Sequence, residues 1–431
     1  MAGADLATVR AALREHYVGK NLVDIFYNAK KDVNPMMAAL EAVADTGEGG
    51  GRLLVTPIVY GTGTAGGQSF SRVLAKAQGS TVGSAGQYSR WETAVQSLNA
   101  VARWDRDAMD AVLSRSSKET FDVMTKEMDL KIALLRKLIA TYSFGDGSGA
   151  LGQITAVDST TITVGLDVVN RIVRGADLVA CTTTTGATKN SGTAINVTAV
   201  DYSTGICTMA SDPTASTAWA VNDYVFNYND RPNASIATYA NQVMIHGMKA
   251  WLPGGAVVDS TTFDGVTRNG NSDLAGLTVN CASLEPEDAF TKSLTQLFVT
   301  GGQKADALFC NPYDYSAFTT GKDKSKTVQI ELGKYNLGFS GFNVETIYGS
   351  VPVVPDAMCP AGEFYAGPWK DPEVAPRLVY VGDLVQIDNK DGMDFVRAYN
   401  DTAYEMRLYF RGNIICPAPG RFVRGYGLTI A

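Results

Sequence analysis

Three glycines carry the strongest hint of chemistry. Gly61, Gly63 and Gly66, in the run Gly61-Thr62-Gly63-Thr64-Ala65-Gly66, have the GxGxxG spacing and directly follow an apolar, strand-like segment at 52–60. In a dinucleotide-binding fold such glycines let the backbone approach a pyrophosphate at a helix N-terminus. Three features speak against that use. Pro57 sits inside the preceding strand, which a central parallel strand does not tolerate. The helix-like piece that follows is short, and no apolar second strand ending in an acid appears at the required distance. The run reads better as the flexible tip of a loop.

The other reactive residue types are sparse. The chain has two histidines, His16 and His246, far apart in sequence. That removes most zinc sites and makes histidine-based activation of a nucleophile improbable. His246 follows an apolar run and reads as a core or interface residue. No GxSxG elbow and no Walker motif occurs. Asp259, Asp264, Asn269 and Asp273 could suggest a calcium loop, but their spacing fits no EF-hand, and a polar surface loop is the expectation. Lys322, Lys324 and Lys326 form a basic run, read as a solvated loop with an inter-subunit or pore-lining role as the alternative. The sequons at Asn196, Asn233 and Asn400 carry no weight without a secretory signal. Six cysteines (Cys181, Cys207, Cys281, Cys310, Cys359, Cys416) are scattered singly, so buried free thiols are expected. No catalytic, cofactor or metal site is assigned, and the chain reads as a non-enzyme.

The elements around these residues suggest a different use. Residues 1–48 read as helical, with Pro35 breaking the run; their apolar face lies either across a neighbouring molecule or on their own domain. GEGGG at 47–51 punctuates, and two long arms joined by Gly-rich, weakly apolar sequence give a projecting hairpin over 51–104. Phe121, Met124, Met128, Ile132, Leu135, Ile139 and Tyr142 recur at steps of three or four, marking one apolar stripe on a helix from Ser117 to Phe144. Ser116 and Glu119 form a capping-box pattern and Gly145 supplies a stop. The texture then changes: 152–230 is rich in Thr, Val and Ala, with short runs separated by turn residues, and reads as a small inserted β-barrel or sandwich. Further on come a helix capped near Ser283 and ended by Gly301, with Phe290, Leu294 and Leu297 on one face, then the strand at 306–310 and another helix. The last sixty residues read mostly as strand, with Tyr404, Met406, Leu408 and Phe410 alternating against polar neighbours.

Composition supports assembly over catalysis. The chain has 431 residues, ample for two or three domains. Charged residues make up 19%, below the ~25% usual for a soluble domain. A polar but lightly charged surface suits one that neighbouring copies will cover; secretion is the alternative cause. A net charge of -7 argues against broad attraction to nucleic-acid phosphates. The N-terminus has no apolar signal core and no run approaches the ~18 apolar residues of a membrane span, so synthesis in the cytoplasm without membrane insertion is expected.

The order of these elements resembles the major capsid proteins of tailed bacteriophages, the Hong Kong phage capsid fold shared with encapsulins and the herpesvirus shell floor. The resemblance is carried by the hairpin at 51–104, the helix ending in YSFGDGSGALGQI, the segments KADALFCNPYDYSAF and ETIYGSVPVVPDAMCPAGEFY, and the end MRLYFRGNIICPAPGRFVRGYG. It implies an α+β fold: an N-terminal arm at 1–50, an extended loop with its return strand at 51–104, and a spine helix of the peripheral domain at 105–151. Next would come the inserted β-domain at 152–230, a connecting peripheral segment at 231–274, an axial domain at 275–384, and closing peripheral strands at 385–431. It further implies a homo-oligomeric structural subunit forming hexamers and pentamers of an icosahedral shell. That shell would enclose double-stranded DNA without sequence-specific binding, and mild acidity suits its lining. A separate scaffolding protein, a portal protein and a decoration or cement protein would be partners, with assembly in the host bacterial cytoplasm. Some members of the family crosslink a lysine to an asparagine; no residue here can be matched to that chemistry. Two other readings stay open: an encapsulin-like compartment, and a β-rich virion or surface protein that binds glycan through 152–230.

Overall fold

The computed structural model describes residues 34–45, 53–59, 88–104, 117–184, 189, 193–215, 219–228, 230, 244–253, 262–268, 272–321, 343–346, 348–382, 386–387, 396–397 and 404–428. A short helix, α1 (Pro35–Ala39), starts on a proline, which needs no N–H partner at that position. Strand β1 (Glu41–Ala44) follows at once. The expectation of helix up to residue 48 is corrected here. Glu41–Ala44 is extended because it pairs in parallel with Arg377–Tyr380, and a full set of tertiary backbone bonds outweighs local helix preference. Met36, Met37 and Leu40 are buried in the chain's own core, so this part of the N-terminal segment packs on its own domain.

Strands β2 (Leu53–Val59) and β3 (Tyr88–Ala94) form an antiparallel hairpin in register from Leu53↔Ala94 to Val59↔Tyr88. Among the described residues β2 pairs with β3 alone, the setting of an edge strand, where Pro57 is tolerated. β4 (Gln96–Trp104) continues from β3 and buries Leu98, Ala100, Ala102 and Trp104 at alternate positions. Helix α2 (Ser117–Ser143) spans 27 residues, roughly 40 Å at ~1.5 Å per residue. Met128, Ile132, Leu135, Ile139 and Tyr142 of the expected stripe are all buried, while the side chains of Phe121 and Met124 lie outside the described residues.

The chain then enters β5 (Ala150–Val157), β6 (Thr161–Val164), the single turn α3 (Leu166–Val169), β7 (Asp177–Cys181), β8 (Ile195–Asp201), β9 (Ile206–Met209) and β10 (Tyr224–Asn227). Of the two forms expected for this region, the strands adopt the closed barrel, in the order β10-β5-β6-β9-β8-β7. Closure removes free edges, which a Thr-rich domain with small side chains needs most. Ile154, Ile162, Val197, Trp219 and Val225 belong to a core of its own. Its first and last strands pair side by side, Phe226 opposite Ala150, so the chain enters and leaves the barrel at neighbouring points.

The remaining elements complete two sheets. After a turn of helix at Met248–Trp251 come β11 (Thr262–Phe263), β12 (Val266–Thr267), β13 (Leu277–Asn280), α4 (Pro286–Gly301), β14 (Ala307–Cys310), α5 (Pro312–Gly321), β15 (Asn343–Thr346), β16 (Gly349–Pro355) and β17 (Glu363–Gly367). Last are β18 (Arg377–Tyr380), β19 (Gln386–Ile387), β20 (Val396–Arg397), β21 (Tyr404–Ile415) and β22 (Val423–Tyr426). The expected cap at Ser283 is corrected: Glu285 is the N-cap and Pro286 the first helical residue. At the other end Gly302, with φ +64°, takes the left-handed cap that glycine favours, one position beyond the expected stop.

In the first sheet the order is β1-β18-β21-β19, with β4 and β20 also paired to β21. Its inner face sets Leu98, Ala102, Met406, Leu408 and Phe410 in one core with Met128, Ile132, Leu135 and Ile139 of α2. The second sheet, β13-β22-β17-β14-β16-β15, packs Leu308, Val353 and Phe364 against Phe290, Leu294 and Leu297 of α4 and Phe318 of α5. A cut at residue 384 is crossed in both directions: β18 pairs with β21 in the first sheet, and β22 lies between β13 and β17 in the second. No described helix is long and apolar enough to cross a membrane.

Because its ends are adjacent and its core is separate, a fragment of residues 150–227 is expected to fold alone. Thermal unfolding of that fragment followed by circular dichroism should be cooperative; a gradual, non-cooperative loss of signal would show that the barrel depends on the body.

Candidate functional site

The hairpin β2–β3 is built into the body at its root. Trp91 of β3 is fully buried and meets Trp251 edge-on, with ring centroids 5.1 Å apart; Phe263 closes the triangle at 6.1 Å from Trp91 and 5.0 Å from Trp251. Rings in this arrangement add ~0.5–1.5 kcal/mol per pair beyond the area that they bury. Leu54 and Ile58 of β2 are buried as well, so apolar contact holds β2 both near its root and, at Ile58, close to the far end of the described strands. At the other end of β3 Tyr88 is largely exposed.

A polar hub fastens the same base. Asp264 and Gly265 are the two residues between β11 and β12, with φ of +46° and +81°. Positive φ at both positions is the two-residue turn that Asp-Gly favours. The turn's Asp264 carbonyl accepts the Glu92 N–H at 2.8 Å, and its carboxylate accepts the Thr93 hydroxyl at 2.7 Å. The same carboxylate oxygen lies 3.0 Å from Nδ1 of His246, and both side chains are almost completely buried. Arg268 stands over the Phe263 ring at 4.0 Å and donates to the Ala250 carbonyl at 2.9 Å. Burial pushes its guanidinium down to about 10, against the pull of the Asp264 charge, so it remains a cation at neutral pH. Asn413 of β21 binds both sides of the joint, accepting the His246 N–H at 2.7 Å and donating to the Ala94 carbonyl at 2.9 Å.

The trio Thr93, Asp264 and His246 has the residue types of a catalytic relay but not its wiring. The hydroxyl donates to the carboxylate instead of the imidazole, so no base withdraws its proton. The arrangement fastens backbone to backbone. The Asp-Gly pair between Phe263 and Val266 is the sequence signal that points to this turn, and the reading of Asp264 as part of a polar surface loop missed it. Asp264 is buried because its carboxylate finds a hydroxyl, an imidazole and a nearby guanidinium together.

A second fastening lies between Met248–Trp251 and the second sheet. Glu363 accepts from Arg424 at 2.6 and 3.1 Å, from Lys249 at 3.1 Å and from the Tyr365 hydroxyl at 2.8 Å. Burial raises the Glu363 carboxyl, but Lys249, Arg424 and Tyr365 outweigh it and hold it below its ordinary range.

Of the other candidates, Gly61, Gly63, Gly66, Asp259, Asn269, Asn233, Asn400, His16, Lys322, Lys324 and Lys326 lie outside the described residues. Asp273 is exposed on the short turn Ser272–Ala275 and is not brought to Asp264. Asn196 lies on β8, its amide donating to the Gly175 carbonyl and to Asp177. All six cysteines are buried, and none of them forms a disulfide. Burial pushes Cys207 up to about 11 and raises Cys310, Cys359 and Cys416 well above the ordinary thiol range, which leaves them poor nucleophiles. Among the described residues no group of His, Cys, Asp and Glu could hold a metal ion.

No protein-family model matches the chain, and no curated protein matches it by sequence. Solved structures give remote likenesses. The chain is similar to the capsid asymmetric unit of cyanophage A-1(L) at 11% identity, over 92% of both chains, with a TM-score of 0.49. It is similar to a chain of Microbacterium phage Oxtober96 at 10% identity, over 92% of this chain and 91% of that one, with a TM-score of 0.44. A third likeness is to the SrpI encapsulin complex of Synechococcus elongatus, at 7% identity, 93% and 89% coverage and a TM-score of 0.40.

The hub yields a graded expectation. Asp264→Ala strands a buried imidazole, hydroxyl and guanidinium and should cost ~3–5 kcal/mol. Asp264→Asn keeps one acceptor and tolerates the left-handed backbone, and should cost ~1–2 kcal/mol. Denaturant unfolding checks both; losses below ~1 kcal/mol for the alanine variant would show that the aromatic triangle alone holds the hairpin.

Proposed function

We propose that the chain is the major capsid protein of a tailed bacteriophage, a structural subunit that self-assembles into hexamers and pentamers of an icosahedral shell around double-stranded DNA. The observation that carries this reading is the hairpin β2–β3. Its root is locked by Trp91, Thr93 and Asn413, yet among the described residues β2 pairs with β3 alone, and the sequence that joins the two strands is the Gly-rich stretch 60–87. A monomer gains nothing from fixing the base of a two-stranded ribbon so firmly, because such a ribbon is marginal in water alone. A lattice gains a rigid lever whose far end is completed by an identical neighbour.

The described elements also follow the order that the sequence resemblance implies: hairpin, long helix, β-rich insert, a sheet with two helices, and closing strands. The last stretch of chain places β21 in one sheet and β22 in the other, which would tie the two into one plate, and a plate with a projecting lever can tile. Each copy would touch several others through its arm, hairpin and flanks, and many modest contacts per subunit give a closed shell collective stability. The barrel, which the chain enters and leaves at neighbouring points, would be displayed outward, where a decoration or cement protein could bind. A separate scaffolding protein would guide closure, a portal protein would occupy one vertex, and assembly would take place in the host bacterial cytoplasm.

Electron microscopy of the expressed full-length chain, with and without its candidate scaffold, tests the reading. Closed particles are expected; a compact, protease-resistant monomer under all conditions would end it. Deleting residues 62–67 separates the lever from the plate: the subunit should stay soluble and folded but fail to close particles, and normal particles would remove the hairpin tip from the mechanism.

A further inference from the structure

The loop 356–362, between β16 and β17, is gripped from four sides. Asp356, 1% exposed, accepts the Met36 N–H of α1 at 3.0 Å through one carboxylate oxygen and the Met358 N–H at 2.9 Å through the other. Asp314 of α5, also 1% exposed, accepts the Gly362 N–H at 2.9 Å. From the barrel side, Asp167 of α3 accepts the Ala361 N–H at 3.2 Å and Arg171 donates to the Met358 carbonyl at 3.1 Å. Asn311 donates to the Cys359 carbonyl at 2.6 Å. Against the loop and α1, the end of α2 presents Thr141 to the sulfur of Met358 and Ser143 to that of Met36. Methionine is unbranched and repacks readily, which suits a seam that moves. Seven residues thus hold the N-terminal helix, the barrel and the second sheet together, and three of the acceptors, on Asp356, Asp314 and Asp167, are carboxyl groups.

We propose that the 356–362 loop is a latch, whose hold on the N-terminal helix and the barrel is set by the charge states of Asp356 and Asp314. The titratable and charged groups that face these acids are Arg171 and Asp167 from the barrel, Cys310 on β14 and Cys359 on the loop itself, which in turn faces Glu363 at the start of β17. The element α1 brings only a backbone N–H, and α2 only hydroxyls onto the methionine sulfurs.

Burial pushes both carboxyls up to about 6, while the N–H bonds, and for Asp356 the Arg171 charge, pull them down. The closed latch therefore holds protons that an opened, hydrated one would release. Opening costs most below the ordinary carboxylate range and becomes easier as pH rises through about 6. The latch is tight in mild acid and looser at neutral pH. This inference stands on the geometry of the joint and does not need the shell.

Hydrogen–deuterium exchange of the unassembled full-length chain at about pH 5 and about pH 7.5, corrected for intrinsic exchange, tests it. Peptides covering 34–40, 164–172 and 356–364 should lose protection by about tenfold or more at the higher pH, while 404–415 keeps its own. The double variant Asp314→Asn, Asp356→Asn should abolish the difference. Where that variant does not fold, Asp314→Asn alone should shrink it. A wild-type chain with pH-independent protection at the three peptides overturns the latch. So does a loss shared equally by 404–415, or a difference undiminished in the variants.

Discussion

Everything in the body depends on where β21 finds its partners. This one strand pairs with β4 over its length and with β18, β19 and β20 along its other edge. Its Met406, Leu408 and Phe410 form the floor on which α2 lies. Near its end Asn413 reaches Ala94, 319 positions away, and the Ile414 carbonyl takes the indole N–H of Trp251 at 3.0 Å. A few residues later β22 enters the second sheet between β13 and β17. The final stretch of chain therefore stitches both sheets. Neither sheet is complete before the end of the chain arrives, and the loop-closure entropy of that pairing is met only by the whole core forming together.

Buried polar groups play a consistent part in this body. Asp264, Asp356, Asp314 and Glu363 are carboxylates in or near the interior, and each is spent on a connection between segments distant in sequence. Apolar contact alone fixes which faces meet but leaves small slides cheap. A carboxylate bound to a particular backbone N–H or guanidinium does not tolerate such slides, because the displaced group would be left unpaired at a cost of ~1–3 kcal/mol or more. The polar joints thus set register and angle where hairpin, N-terminal helix and barrel meet the plate.

The barrel obeys another rule. Its buried apolar residues form clusters separate from the body's core, and it is tied to the body by directional bonds: Tyr142 to Asp230, Arg171 to the Met358 carbonyl and Asp167 to the Ala361 N–H. A cleft of about 330 Å³, lined partly by Phe144, Lys249, Arg171 and Tyr224, separates the two along part of their junction. Such a mount leaves the barrel's outer surface free to change without disturbing the plate.

What the amino-acid sequence determined by itself is what depends on near neighbours along the chain. The stripe on α2, the alternation in β21, the change of texture at the barrel, the paired arms of the hairpin and the isolation of the cysteines are all periodicities or compositions, legible within a window of ten to twenty residues. The Asp-Gly turn at 264–265 was equally local and was missed because acids nearby suggested a polar loop. What only the tertiary structure decided is what depends on distant partners. Glu41–Ala44 became a strand because Arg377–Tyr380 left an edge open beside it. β18 and β22 exchanged sheets across the expected boundary, and Asp264 and His246 met under Trp91 instead of facing water. Hydrophobic pattern states that a residue will be buried, but it is non-directional; which residue it is buried against follows from hydrogen-bond pairing between segments hundreds of residues apart, and that information exists only once the chain has closed on itself.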